Sequence, residues 1–87
     1  MKDITVKIEN QVGLHARPAT FFIQKANEFK SSIWAKLDDR QVNAKSLLGV
    51  LSLGIIKGTE LTLIADGPDE DDALVALSEL IHSNLDD

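Results

Sequence analysis

DITVKIENQVGLHARPATFFIQKANEF, residues 3–29, changes its hydrophobic period midway, and that change decides the fold. Ile4, Val6 and Ile8 alternate with Thr5 and Lys7 over residues 3–9, the period of a strand with one buried face. Gly13 turns the chain. From residue 16 to residue 29 the period becomes helical. Ala19, Phe22, Ile23, Ala26 and Phe29 form an apolar stripe, with Thr20, Gln24, Asn27 and Glu28 away from it. A half-buried strand feeding an amphipathic helix opens the domain.

The same two periods recur downstream. SIWAKL, 32–37, alternates and buries either the Ile33, Ala35 and Leu37 side or the Trp34 side. Asp38-Asp39 reads as a turn, and RQVNA, 40–44, pairs back as a hairpin strand. KSLLGVLSLGIIKG is too rich in glycine for a long helix, and a short one at roughly 47–53 follows Ser46 as N-cap. ELTLIA, 60–65, places Leu61, Leu63 and Ala65 on one face. Asp66-Gly67-Pro68-Asp69 then turns into a last helix, with Asp69 as N-cap and Glu70, Asp71 and Asp72 at its positive end. Ala73, Leu74, Leu77, Leu80 and Ile81 supply its buried stripe. The order β-α-β-β-α-β-α predicts an α+β open-faced two-layer sandwich: a four-stranded antiparallel sheet covered on one face by three helices.

Eighty-seven residues suit one domain, 1–87. The chain has 44% hydrophobic and 26% charged residues, as in ordinary globular proteins. Nine basic against fourteen acidic residues leave a net charge of −5, which argues against a nucleic-acid partner. Without cysteine there is no disulfide, thiolate metal site or thiol catalysis. MKDITVKIEN does not read as a signal peptide and no run is long enough to span a bilayer, so a cytoplasmic protein without membrane insertion is expected.

The chemistry concentrates in GLHARPAT, 13–20. If the helix starts just after His15, the N–H groups of Ala16 and Arg17 lack intrahelical acceptors. Pro18 loses no needed donor there and holds a helical φ. Free N–H donors, the positive helix end and the Arg17 guanidinium form a cradle suited to phosphate. The same field disfavours imidazolium, which keeps the His15 ring neutral and nucleophilic. A phosphoryl group received by His15 then lies against the groups that kept it unprotonated. Read from these residues alone, His15 can equally cap a helix and Arg17 can equally be a solvated surface charge.

GLHARPA resembles, residue for residue, the phosphorylation-site motif of the HPr family, the histidine-containing phosphocarriers of the bacterial phosphoenolpyruvate:sugar phosphotransferase system. VNAKSLLGVLSLG, 42–54, is similar to that family's second signature, and the resemblance covers essentially the whole chain. It implies that His15 accepts phosphate at Nδ1 from phosphoenolpyruvate-charged enzyme I. His15 then passes it to sugar-specific IIA components, with Arg17 steadying the phosphate. The residues agree with a carrier that is not itself an enzyme and needs no cofactor: there is no Walker loop and no carboxylate cluster for magnesium.

In relatives from low-GC Gram-positive bacteria the second signature carries a regulatory serine, so the resemblance makes Ser46 a target of HPr kinase/phosphorylase. Phosphate at a helix start adds about −1.5 to −2 charges without requiring unfolding, so it should act through surface electrostatics. Lys45 beside it reads as a solvated charge.

Leu47, Leu48, Val50, Leu51 and Leu53 cannot all face inward from two helical turns. The family docks partners on this helix, which makes Thr20, Phe21, Leu47, Leu48 and Leu51 docking candidates. Many relatives carry methionine where Leu48 and Leu51 stand, and leucine is the stiffer residue. His82 reads as structural or solvated, and Trp34 has no assigned role. The competing function is a regulatory paralogue, phosphorylated on Ser46 alone and binding a catabolite-control repressor. Such paralogues lack the active histidine, and His15 is present. A monomer is expected.

Overall fold

The computed structural model describes residues 1–9 and 16–83. Four antiparallel strands, β1 (Lys2–Lys7), β2 (Ser32–Leu37), β3 (Arg40–Asn43) and β4 (Glu60–Asp66), lie side by side in the order β1-β4-β2-β3. Helices α1 (Ala16–Ala26), α2 (Leu47–Ser52) and α3 (Glu70–His82) complete the expected β-α-β-β-α-β-α order.

Register explains which face is buried, because directly opposed residues of antiparallel strands share a face. Ile4 opposes Leu63 and Val6 opposes Leu61, while Ala35 on β2 faces Leu63 from the other side. These side chains meet Ala19, Phe22 and Ala26 of α1, Val50 of α2, and Ala73, Leu74, Leu77 and Ile81 of α3. The alternatives for β2 are thereby resolved. Ile33 and Ala35 are fully buried, whereas Trp34 is half-buried on the other face, opposite Ile64 and Asn43. On that open face the Thr5 and Thr62 hydroxyls are hydrogen-bonded at 3.0 Å.

Of the boundaries that differ from the sequence reading, three have a clear local reason. β1 ends at Lys7 rather than residue 9, yet pairing continues through Ile8. Its N–H donates to the Thr59 carbonyl at 2.8 Å, and its carbonyl accepts from Gly58 N–H. α1 stops at Ala26 rather than Phe29. The Asn27 Nδ2 donates back to the Ile23 carbonyl at 2.9 Å, and the next two N–H groups make tighter three-residue bonds to Lys25 and Ala26. Phe29 still packs against the core from the turn. α2 ends at Ser52, one residue early, where Leu53 N–H and Gly54 N–H bond three residues back.

Asp69 stands at the N-cap of α3 but makes no side-chain cap bond. Its carboxylate accepts instead from Lys30 N–H and Ser31 N–H, both at 2.9 Å, and from the buried Ser31 hydroxyl. Asp69 N–H returns a bond to Ser31 Oγ at 3.2 Å. These donors hold the Asp69 carboxyl down, from its ordinary 3.8 to about 2, with the Ser31 hydroxyl the largest cause. The carboxylate therefore fastens the chain ahead of β2 to the start of α3.

Candidate functional site

Helix α1 opens at Ala16, so the residue preceding its first turn is His15. Gly13 and His15 lie outside the described residues. The first-turn N–H groups have no acceptor within the helix, and the dipole's positive end lies there. Pro18, at the third helical position, removes a donor that the helix would leave unused. Arg17 is exposed, Pro18 half-buried and Ala19 fully buried. Ala19 and Phe22 seat the helix on the sheet while Arg17 projects away from it. An anion approaching this end therefore meets a guanidinium and oriented N–H dipoles, with no carboxylate in the helix's first turn.

The second candidate, Ser46, is the N-cap of α2. Its extended backbone (φ −107°, ψ 118°) lets Oγ accept from Gly49 N–H at 3.1 Å. A Cβ added at Gly49 would lie 3.3 Å from that oxygen and 3.4 Å from the Asn43 carbonyl, so glycine keeps the hydroxyl uncrowded. The leucines divide as two helical turns require. Val50 is fully buried and Leu51 half-buried against the core, whereas Leu47 is 38% and Leu48 82% exposed. Thr20 and Phe21 are half-buried on α1, against which α2 packs. His82, at the end of α3, is exposed.

Lys45 corrects the sequence reading. It is half-buried, and its ammonium donates to the Phe29 carbonyl at 2.7 Å, just beyond the end of α1. Asn27 Nδ2 donates to the Lys45 carbonyl at 3.3 Å in return. A cation is favoured where helix carbonyls face outward, so the ammonium is held rather than solvated. Neither Lys45 nor Asn27 carries a local signal of this pairing, because the partners are 16 and 18 residues apart. No helix among the described residues is long and apolar enough to cross a membrane.

Comparison with known proteins agrees with this geometry. The family model for the PTS HPr component phosphorylation site matches residues 2–83. The HPr-like protein Crh of Bacillus subtilis (strain 168) is 44% identical over 80 residues, covering 92% of this chain and 94% of that relative. Phosphocarrier protein HPr of Neisseria meningitidis (serogroup A / serotype 4A) is also 44% identical, over 78 residues, covering 90% and 88%. HPr-C-His from Thermoanaerobacter tengcongensis has a crystal structure with a TM-score of 0.95 at 48% identity, over 98% of this chain and 96% of that one. A crystal structure of Bacillus subtilis Crh, a dimer with a swapped domain, has a TM-score of 0.77 at 43% identity, over 95% of each chain. With the open-faced sandwich, the helix entrance after His15 and these likenesses in agreement, the chain belongs to the HPr family of phosphotransferase-system phosphocarrier proteins.

Proposed function

We propose that this protein accepts a phosphoryl group on His15 Nδ1 from phosphoenolpyruvate-charged enzyme I and delivers it to sugar-specific IIA components. The observation that carries this reading is the helix entrance: α1 begins at Ala16, immediately after His15, with Arg17 exposed in its first turn. The neutral ring nitrogen attacks phosphorus as the bond to the donor breaks, and the Ala16 and Arg17 N–H groups with the Arg17 guanidinium hold the phosphoryl oxygens. Transfer to IIA reverses the step. The chain has no kinase activity of its own; it moves phosphate between partners.

Docking of those partners falls to Thr20, Phe21, Leu47, Leu48 and Leu51, a reading supported by the outward Leu48. Ser46 is the regulatory acceptor for HPr kinase/phosphorylase, and its phosphate opposes docking on an acidic enzyme I surface by charge. The protein works as one cytoplasmic domain, 1–87, and as a monomer. Sedimentation measures the last point; a stable dimer, the form of the Crh structure, overturns it.

The regulatory alternative is supported by the 44% identity to Crh, equal to that of the meningococcal phosphocarrier. In that reading phospho-Ser46 binds a catabolite-control repressor and His15 plays no part. Incubation with enzyme I and phosphoenolpyruvate separates the two. Acid-labile phosphate on the wild type that disappears in His15→Ala supports the carrier. No such label, together with ATP-dependent phosphoserine from the kinase, supports the regulator.

A further inference from the structure

We infer that Lys45 and Asn27 are positioning residues for Ser46, forming a reciprocal clamp that fixes the phosphorylatable loop against the end of α1. The inference rests on the reading of Ser46 as the regulatory acceptor. Within the loop, Ala44 N–H bonds to the Ile33 carbonyl at 2.9 Å, Lys45 N–H to Asn43 Oδ1 at 2.8 Å, and Ser46 N–H to the Asn43 carbonyl at 3.1 Å. Those bonds tie the loop to the β2–β3 hairpin. The Lys45 ammonium on the Phe29 carbonyl and the Asn27 amide on the Lys45 carbonyl tie it to the turn that follows α1.

The direction of each bond matters. Lys45 sends its side chain to the turn after α1 and receives a side chain from that turn on its own backbone, so the residue immediately before Ser46 is held at both ends. The Asn27 amide is itself anchored, since it also donates to the Ile23 carbonyl at 2.9 Å. Ser46 follows with an extended backbone and its hydroxyl on Gly49 N–H. A kinase must receive that hydroxyl in one orientation, and small displacements of an acceptor lower the rate of transfer more than they lower binding. The clamp thus acts on Ser46 through the backbone at Lys45, and the turn that closes α1 also sets the presentation of Ser46.

The test compares wild type, Lys45→Met, Lys45→Arg and Asn27→Ala in two measurements. The first is amide hydrogen exchange of Ser46 and Gly49 in the free protein; the second is kcat and KM for Ser46 phosphorylation by HPr kinase with ATP. Lys45→Met is expected to speed the Gly49 exchange about tenfold and to lower kcat several-fold with little change in KM. Lys45→Arg, which keeps a donor cation, restores most of both, and Asn27→Ala moves both in the direction of Lys45→Met by a smaller factor. Unchanged exchange in Lys45→Met and Asn27→Ala overturns the clamp, and a fall in phosphorylation would then mark Lys45 as a direct kinase contact. Faster exchange with unchanged phosphorylation kinetics overturns the positioning role. A wild type that the kinase does not phosphorylate overturns the reading of Ser46 on which the inference rests. Should Lys45→Met fail to fold by circular dichroism, Asn27→Ala decides the outcome by the same criteria.

Discussion

Two junctions flank the β2–β3 hairpin, and they are built on opposite principles. At the entrance to β2, Ser31 is buried at 1% exposure, clasped by Asp69, and overlaid by Gly67. Past β3, Lys45 reaches a carbonyl through a long, flexible stem, and its partner Asn27 is exposed. The first junction has no slack, so a change there should be felt by the whole fold. The second has slack, so its loss should loosen the Ser46 loop while the sheet stays intact.

The largest effect is expected at Gly67. A Cβ there would lie 2.6 Å from both Cα and Oγ of Ser31, and a backbone atom cannot step aside. Gly67→Ala should cost about 3 kcal/mol or more in urea unfolding. A cost under about 1 kcal/mol would mean that the two junctions are equally yielding.

Next in size is Ser31→Ala, which removes the buried hydroxyl that is the main donor to the half-buried Asp69 carboxylate and should lower the urea midpoint by less than Gly67→Ala does. This variant also alters acid stability. The folded carboxyl of Asp69 is depressed, so its stabilisation is complete above the ordinary 3.8 and is lost as the pH falls to about 2. Across that window the unfolded chain binds more protons, and stability rises with pH. Removing the Ser31 hydroxyl raises the folded value toward the ordinary one and flattens this dependence. Urea midpoints measured through the window report the slope, and an unchanged slope would refute the assignment.

Lys45→Met should cost less, about 1 kcal/mol, because its bond is partly open to water. A loss as large as that of Gly67→Ala would erase the distinction between the junctions. The smallest change in stability belongs to Leu48→Ala, within about 0.5 kcal/mol, since Leu48 is 82% exposed. Its transfer rate from enzyme I should nonetheless fall, and an undiminished rate removes Leu48 from the docking surface.

What the sequence disclosed follows the range over which each interaction acts. Alternation in Ile4, Val6 and Ile8 and the stripe of Ala19, Phe22 and Ala26 are local patterns, and all but the half-buried Ile4 are buried in the core. Ser46 was equally legible as a cap, because its partner Gly49 is three residues away. Asp69 was legible as the N-cap position of α3 too, but the partner of its carboxylate was not. Its carboxylate serves Ser31, 38 residues distant, and no local pattern announces that. Lys45 failed similarly, since a carbonyl 16 residues back leaves no mark on its neighbours. The side of β2 that faces inward awaited the sheet itself: alternation offered both Trp34 and Ile33, and the helices decided between them.

The strand order β1-β4-β2-β3 has a consequence for how the protein is made. Lys7 at the end of β1 pairs with Glu60, so the first strand emerges from the ribosome long before the strand that must hold it. At translation speeds of about 5–20 residues per second, β1 waits roughly three to ten seconds for β4. The β2–β3 hairpin and α1 emerge in that interval without the strand that joins the two edges. The sheet beneath the N-terminal end of α1 therefore closes late in synthesis, and a ribosome stalled before residue 60 carries the family motif without a platform to present it.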